Sequence, residues 1–303
     1  MKPVSRLAWL LRSVQLAQLL VIAAALVGLW PRSPAWALGV IVGVVLLLPA
    51  VLALQFLLLA HVARTDTPPV PTAAQLVRAW WAELCCFVVV FGGRMAWAWR
   101  RVPDQLPAAG GGPAGVVFIH GFVCNRGLWT PWMERLRAEG RPFVAVNLEP
   151  VFGSIESYRP IVDEAVARLQ AGTGQRPWLV CHSMGGLAAR DWLARTPGAA
   201  QRVAGLVTLG SPHGGTWLGR LSSVTNGRQM RLASRWLQAL AQQEGGLPHP
   251  RTICWYANCD NIVFPTSSAM LAGADNRLVP GAAHVDLAFC PEVVEATLDL
   301  MKS

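Results

Sequence analysis

Charge is scarce in this chain. Asp, Glu, Lys and Arg make up 14% of its 303 residues, against about 25% in an ordinary soluble domain. That excludes a disordered, solvating chain. Lysine is nearly missing: Lys2 and Lys302 are its two copies, so arginine carries the formal net charge of +9. No basic run is interleaved with aromatics, and no motif of a nucleic-acid module is present, so a nucleic-acid partner is not expected. Attraction of arginine to anionic lipid headgroups is the simpler account of the charge. The seven cysteines are odd in number and show no CxxC or Cys/His ligand spacing. A disulfide framework and a structural zinc site are therefore not expected. The cysteines read as small buried thiols; only an oxidising compartment would allow Cys254 and Cys259 to pair. No internal repeat is evident.

What the chain has in excess is apolar sequence, and most of it lies in the first hundred residues. Residues 14–30 are nearly all apolar, Pro31 to Pro34 break the run, and residues 36–60 form a second apolar stretch. A helix needs about 20 residues to cross the hydrocarbon core, so the pair predicts a transmembrane hairpin, with 1–66 as the membrane anchor. Lys2, Arg6 and Arg12 precede the first run and Arg64 follows the second. The positive-inside rule then places both ends in the cytoplasm. A third apolar segment, 79–99, carries Trp80, Trp81, Trp97 and Trp99 at its two ends, with Glu83 and Arg94 inside. Each charge costs about 2.5–3.5 kcal/mol at the centre of a span. The expectation for 67–102 is therefore an interfacial helical segment, not a third span.

Residues 103–115 are rich in Pro and Gly and read as a linker. Beyond them the texture changes. Short apolar runs at 116–120, 143–148, 178–182, 203–210 and 252–258 are interleaved, in their earlier part, with helical patterns at 128–139, 157–170 and 185–195. That alternation predicts an α/β domain over 116–303, with a parallel sheet covered on both faces.

The chemistry-bearing signal is Cys181-His182-Ser183-Met184-Gly185-Gly186, between a strand and a helix. A serine on that sharp turn projects its hydroxyl above the sheet edge. The usual pattern is G-x-S-x-G; here Cys181 replaces the first glycine and Gly185 keeps the second. Acyl transfer also needs two N–H donors for the developing oxyanion. Met184, directly after the serine, offers one, and Phe122, in the His120-Gly121-Phe122 loop, the other. Ser183 needs a base. Of the later histidines, His284 follows a short apolar run and precedes the last helix. His249 sits between prolines, and His213 in Ser211-Pro212-His213 reads as a packing residue near the site. The acid is expected at Asp260, after a late strand and before the histidine, with Asp275 and Asp286 as rivals. The order Ser183, Asp260, His284 is Ser…Asp…His.

These motifs, with Gly210-Ser211-Pro212-His213-Gly214-Gly215-Thr216, Asp260 to Pro265 and Gly281-Ala282-Ala283-His284, resemble those of the α/β-hydrolase superfamily. They are particularly similar to bacterial triacylglycerol lipases and membrane-associated carboxylesterases, over residues 114–303. The resemblance implies a mostly parallel, about eight-stranded sheet with the site at the strands' C-terminal ends. It also implies a lipase or esterase acting on a lipid or other hydrophobic ester through an acyl-enzyme on Ser183, with no metal or organic cofactor. The setting is then a bacterial inner membrane with the catalytic domain in the cytoplasm. The insertion at 216–245 carries Leu232, Trp236, Leu237 and Leu240 at helical spacing and reads as a cap or lid. Phe122 and Phe152 are expected to line an acyl pocket. An acyltransferase or thioesterase would use the same triad. A catalytically inactive membrane scaffold is the alternative from another class.

Overall fold

The computed structural model describes residues 5–107, 111–245 and 250–301. His249, Lys2, Lys302 and part of the Pro/Gly segment lie outside them.

The chain opens with helices α1 (Arg6–Ala24, continued by a π-helical turn to Leu29), α2 (Pro34–Val62) and α3 (Ala73–Phe87, continued as a π-helix to Arg94). Local sequence sets their starts. Ser5 caps α1 by accepting the Ala8 N–H, Pro34 occupies the first turn of α2, and Thr72 and Gln75 form a capping box on α3. With their flanking turns, Arg6–Leu29, Pro34–Thr65 and Ala73–Arg94 are all long and apolar enough to cross a membrane. The expected hairpin is thus joined by a third candidate span where an interfacial segment was expected. Large apolar side chains such as Val27 and Trp36 stand more than 70% exposed on α1 and α2. Exposure on that scale suits lipid, not water.

Strands β1 (Val116–Ile119), β2 (Phe143–Ala145), β3 (Trp178–His182), β4 (Gly205–Leu209), β5 (Arg251–Tyr256) and β6 (Asp275–Leu278) form one parallel sheet in the order β2-β1-β3-β4-β5-β6. Helices α4 (Thr130–Ala138), α5 (Arg159–Thr173), α6 (Met184–Arg195), α7 (Thr225–Gln229), α8 (Arg235–Glu244) and α9 (Pro291–Leu300) accompany it. The period of two along each strand splits the core into two layers. Val116, Phe118, Trp178, Val180, Val207 and Ile253 face α4 and α9. Val117, Ile119, Leu179, Cys181 and Leu206 face α5 and α6.

The sheet has six strands among the described residues, not the eight expected. The outer edge of β2 meets one isolated antiparallel bridge, Gln105 to Phe143.

The anchor and the sheet domain share a core. Phe56, Leu59 and Ala63 of α2 and Ala79 of α3 pack with Cys259, Phe264 and Ala283, from the loops after β5 and β6. Helix α8 packs beside α6. Leu237 turns into the core layer beside α6, with Trp236 partly buried against it, and Leu240 is fully buried. All seven cysteines are unpaired.

Candidate active site

The strand order reverses between β1 and β3, and in open α/β sheets the crevice at such a switch is where ligands bind. The loop after β1 holds Gly121 and Phe122, and Ser183 follows β3 directly. Ser183 has φ 54° and ψ −129°, in the left-handed region that non-glycine residues rarely enter. The Leu209 carbonyl on neighbouring β4 accepts its N–H at 2.9 Å, which holds the strained turn. Helix α6 begins at the next residue, so the Met184 N–H is one of the first-turn donors with no partner inside the helix. Glycine is required around this turn. A Cβ on Gly185 would lie 2.4 Å from the Ile119 carbonyl oxygen, and one on Gly121 would lie 2.7 Å from the Ser183 Cβ.

His284 and Asp260 meet as their chain order suggests. His284 Nδ1 lies 2.9 Å from Asp260 Oδ2, and both side chains are at least nine-tenths buried. The other carboxylate oxygen, Oδ1, accepts the Ile262 and Val263 N–H groups at 2.9 and 2.7 Å. Burial pulls the pKa of the His284 imidazole down. The Asp260 charge and hydrogen bond, with a smaller push from Glu83, outweigh this, and the net displacement is upward. The rival acids lie elsewhere: Asp275 pairs with Arg277, and Asp286 sits beside Cys290.

Ser183, His284 and Phe122 line one cavity of about 440 Å³. Among the described residues the Ser183 hydroxyl has no hydrogen-bond partner. Contacts of this kind are often long in an unliganded site and tighten with substrate. Leu11 of α1, Leu48, Val51 and Leu52 of α2, and Phe87 and Phe91 of α3 form the apolar wall of the same cavity. The insertion contributes Leu218, Gly219, Ser222 and Met230, and none of its lid-patterned leucines. Phe152 packs edge-on against Phe122, with ring centroids 5.9 Å apart.

Three further histidines, His120, His182 and His213, are buried supports whose pKa values burial lowers. His120 Nε2 accepts the Leu148 N–H at 3.0 Å, so Nδ1 carries the proton and donates to the Gly121 carbonyl at 2.9 Å. That ties the Phe122 loop to the chain beyond β2, and burial brings the His120 pKa down to about 4. His182 donates from Nε2 to the His284 carbonyl at 3.1 Å, and burial brings its pKa down to about 3. His213 accepts from Arg190 at Nδ1 and turns Nε2 to Thr208.

Three polar residues here were not singled out as site residues from the sequence. Asn261 Oδ1 accepts the His284 N–H at 3.3 Å, and its amide donates to Gln55 of α2 at 2.8 Å. Glu83 of α3 accepts the N–H groups of Val285 and Asp286. Only Glu83 gave a signal in sequence, as a lone carboxylate in an apolar run.

With this geometry in hand, comparison with known proteins is informative. The profile of the alpha/beta hydrolase family matches residues 116–297. The chain belongs to this family. Among solved structures it is similar to lipase B of Aspergillus fumigatus, at 19% identity and a TM-score of 0.59 over 68% of this chain and 57% of that one. It is also similar to the mature lipase BlEst2 of Bacillus licheniformis, at 15% identity and a TM-score of 0.57 over 65% of this chain and 96% of that one. The chain thus spans little more than half the length of the Aspergillus protein. At these identities the likeness is one of fold. No curated protein matches in sequence.

Proposed function

We propose that this chain is a membrane-bound serine hydrolase of carboxylic esters that carry long apolar acyl groups. The observation that carries this reading is the shared cavity. Ser183 and His284 stand on one side of it, and apolar residues of three membrane-span candidates form the other. A lipid acyl chain would then leave hydrocarbon and enter a wall of the same polarity, with little apolar surface passing through water.

In the proposed reaction His284 Nε2 takes the Ser183 proton as Oγ attacks the ester carbonyl. The N–H groups of Phe122 and Met184 hold the oxyanion. Asp260 fixes the His284 tautomer and stabilises the imidazolium. The tetrahedral intermediate collapses, the carbon–oxygen bond to the alcohol breaks, and His284 returns the proton to the leaving oxygen. Water, deprotonated by His284, then cleaves the acyl-enzyme to the free acid and restores the Ser183 hydroxyl. In this reading α1 and α2 cross the membrane and α3 lies at its interface, so the Arg-flanked ends and the catalytic domain share the cytoplasmic face.

The test uses the full chain in mild detergent with p-nitrophenyl esters from acetate to palmitate. Turnover is expected to rise with acyl length, and Ser183→Ala is expected to lower kcat by about 10⁴–10⁶-fold. A folded chain that turns over no ester and resists a fluorophosphonate probe would refute the serine reading. Acyl transfer to an added alcohol or thiol in preference to water would reassign the acceptor.

A further inference from the structure

Glu83 is the sole acidic residue of α3 and is 2% exposed. A carboxylate facing lipid from this position would be costly. It faces the protein instead. The Val285 N–H donates to both of its oxygens, at 3.2 and 3.0 Å, and the Asp286 N–H donates to Oε2 at 3.3 Å. These two residues directly follow His284 in the chain. Both oxygens thus serve as acceptors, while burial pushes the Glu83 pKa up to about 7, so the group is mostly ionised only above neutral pH. Glu83 and His284 line the same cavity. The same loop is held from α2 as well, through Gln55, Asn261 and the His284 N–H.

We infer that Glu83 is a positioning residue for the base: from α3 it pins the loop that carries His284 and, when ionised, sets a second negative group near the imidazole, so that the membrane helices complete the active site. This rests on the proposed roles of Ser183, Asp260 and His284. An anchor that served only to hold the domain at a membrane would not need a buried carboxylate aimed at that loop. The ionisable groups that face this pair are Asp260 after β5, His182 of β3, Asp286 of the loop itself, Cys86 of α3 and Cys124 after β1. Of these, Asp260 meets the imidazole directly, and Glu83 adds to its upward push on the His284 pKa.

The experiment compares the full chain with Glu83→Ala, Glu83→Gln and Gln55→Leu in detergent. Glu83→Ala is expected to lower kcat on the order of 10²-fold, the cost of a base misplaced by about 1 Å, with KM little changed. Glu83→Gln keeps one acceptor oxygen and is expected to recover part of kcat. It loses the charge, so the acid limb of its kcat/KM profile moves to lower pH. A lower Tm with wild-type kcat and an unmoved pH profile would overturn the inference and leave Glu83 a packing residue. The coupling is also readable without turnover, by NMR titration of the His284 ring in a Ser183→Ala background. An unchanged His284 pKa on Glu83→Gln overturns the inference whether or not the chain hydrolyses esters. An inactive wild type overturns only the proposed function.

Discussion

Replacing Gly185 with alanine displaces the turn that presents Ser183 by an amount the structure sets. The added Cβ would lie 2.4 Å from the Ile119 carbonyl oxygen and 2.8 Å from that of His120. Ordinary contact begins at 3.4 Å, so relief of the first contact alone takes 3.4 − 2.4 = 1.0 Å. Both oxygens belong to the backbone at the end of β1, which is held between β2 and β3. The freer partner is the turn, and it must back away from β1 and from the Phe122 N–H. A misplacement of about 1 Å costs roughly 10²-fold in rate, or about 2.7 kcal/mol in the activation barrier. Overpacking should also take about 1–3 kcal/mol from stability. The assay is kcat with p-nitrophenyl palmitate beside a thermal melt, with Gly92→Ala as the control. A Cβ at Gly92 meets nothing within 4 Å, so that variant should retain activity. Wild-type kcat and Tm in Gly185→Ala would refute the reasoning, because they would mean the turn is not held against β1.

Asp260→Asn removes the charge that raises His284 and is expected to lower kcat by about 10⁴-fold. The sign of its pH effect follows. In the wild type the base must be neutral and its pKa lies above 6.5, so activity falls as pH drops through a value above 6.5. Without Asp260 burial dominates and the acid limb moves down, which a kcat/KM profile reads; an unmoved limb would exclude Asp260 as the partner. Stability should also fall in acid. The pKa values of His120 and His182 lie near 4 and 3 in the fold, against 6.5 when unfolded. Their contribution is full above pH 6.5 and is lost progressively below it, by up to about 1.4 kcal/mol per pH unit for each group. Urea melts between pH 7 and 4 would show this loss, and a flat profile would contradict it. Glu244→Gln weakens the partly buried pair that holds Arg190 against His213, with contacts of 2.8 and 2.6 Å. A loss of about 3–5 kcal/mol in stability is expected, read by denaturant melts, with kcat per folded molecule retained.

The motifs that depend on local geometry were legible in sequence. A strand, a sharp turn and a helix around Ser183 are written in neighbouring residues, and β1 to β5 lie in apolar runs because helices cover both faces of the sheet; the polar β6 gave no such signal. Asp260 is favoured as the partner of His284 by its place after a late strand together with chain order, which by itself also admits Asp275. What was not legible depends on distant parts of the chain. Leu232, Trp236, Leu237 and Leu240 carry a helical stripe that suits a lid and suits a core layer equally; the packing of Leu237 and Trp236 in the layer beside α6, with Leu232 left exposed, is a tertiary outcome. Glu83 looked like a penalty inside an apolar segment. Its partners lie 202 and 203 positions away and are backbone N–H groups, which no side-chain pattern reveals. The strand count came from the resemblance, and no residue ahead of β1 supported the two additional strands.

The shared core of α2, α3 and the catalytic loops also bears on how the protein is made. During synthesis the amino-terminal segments emerge first, so α1 to α3 are complete before β1 exists. The sheet then closes against a surface already in place, and Phe264, Cys259 and Ala283 find their partners there, not in a neighbouring copy. The lipid helices thereby act as the template on which the loops of Asp260 and His284 take shape. A cut in the Pro/Gly segment of the folded chain would leave that shared core packed, so activity should stay with the apolar helices and not pass into the soluble fraction.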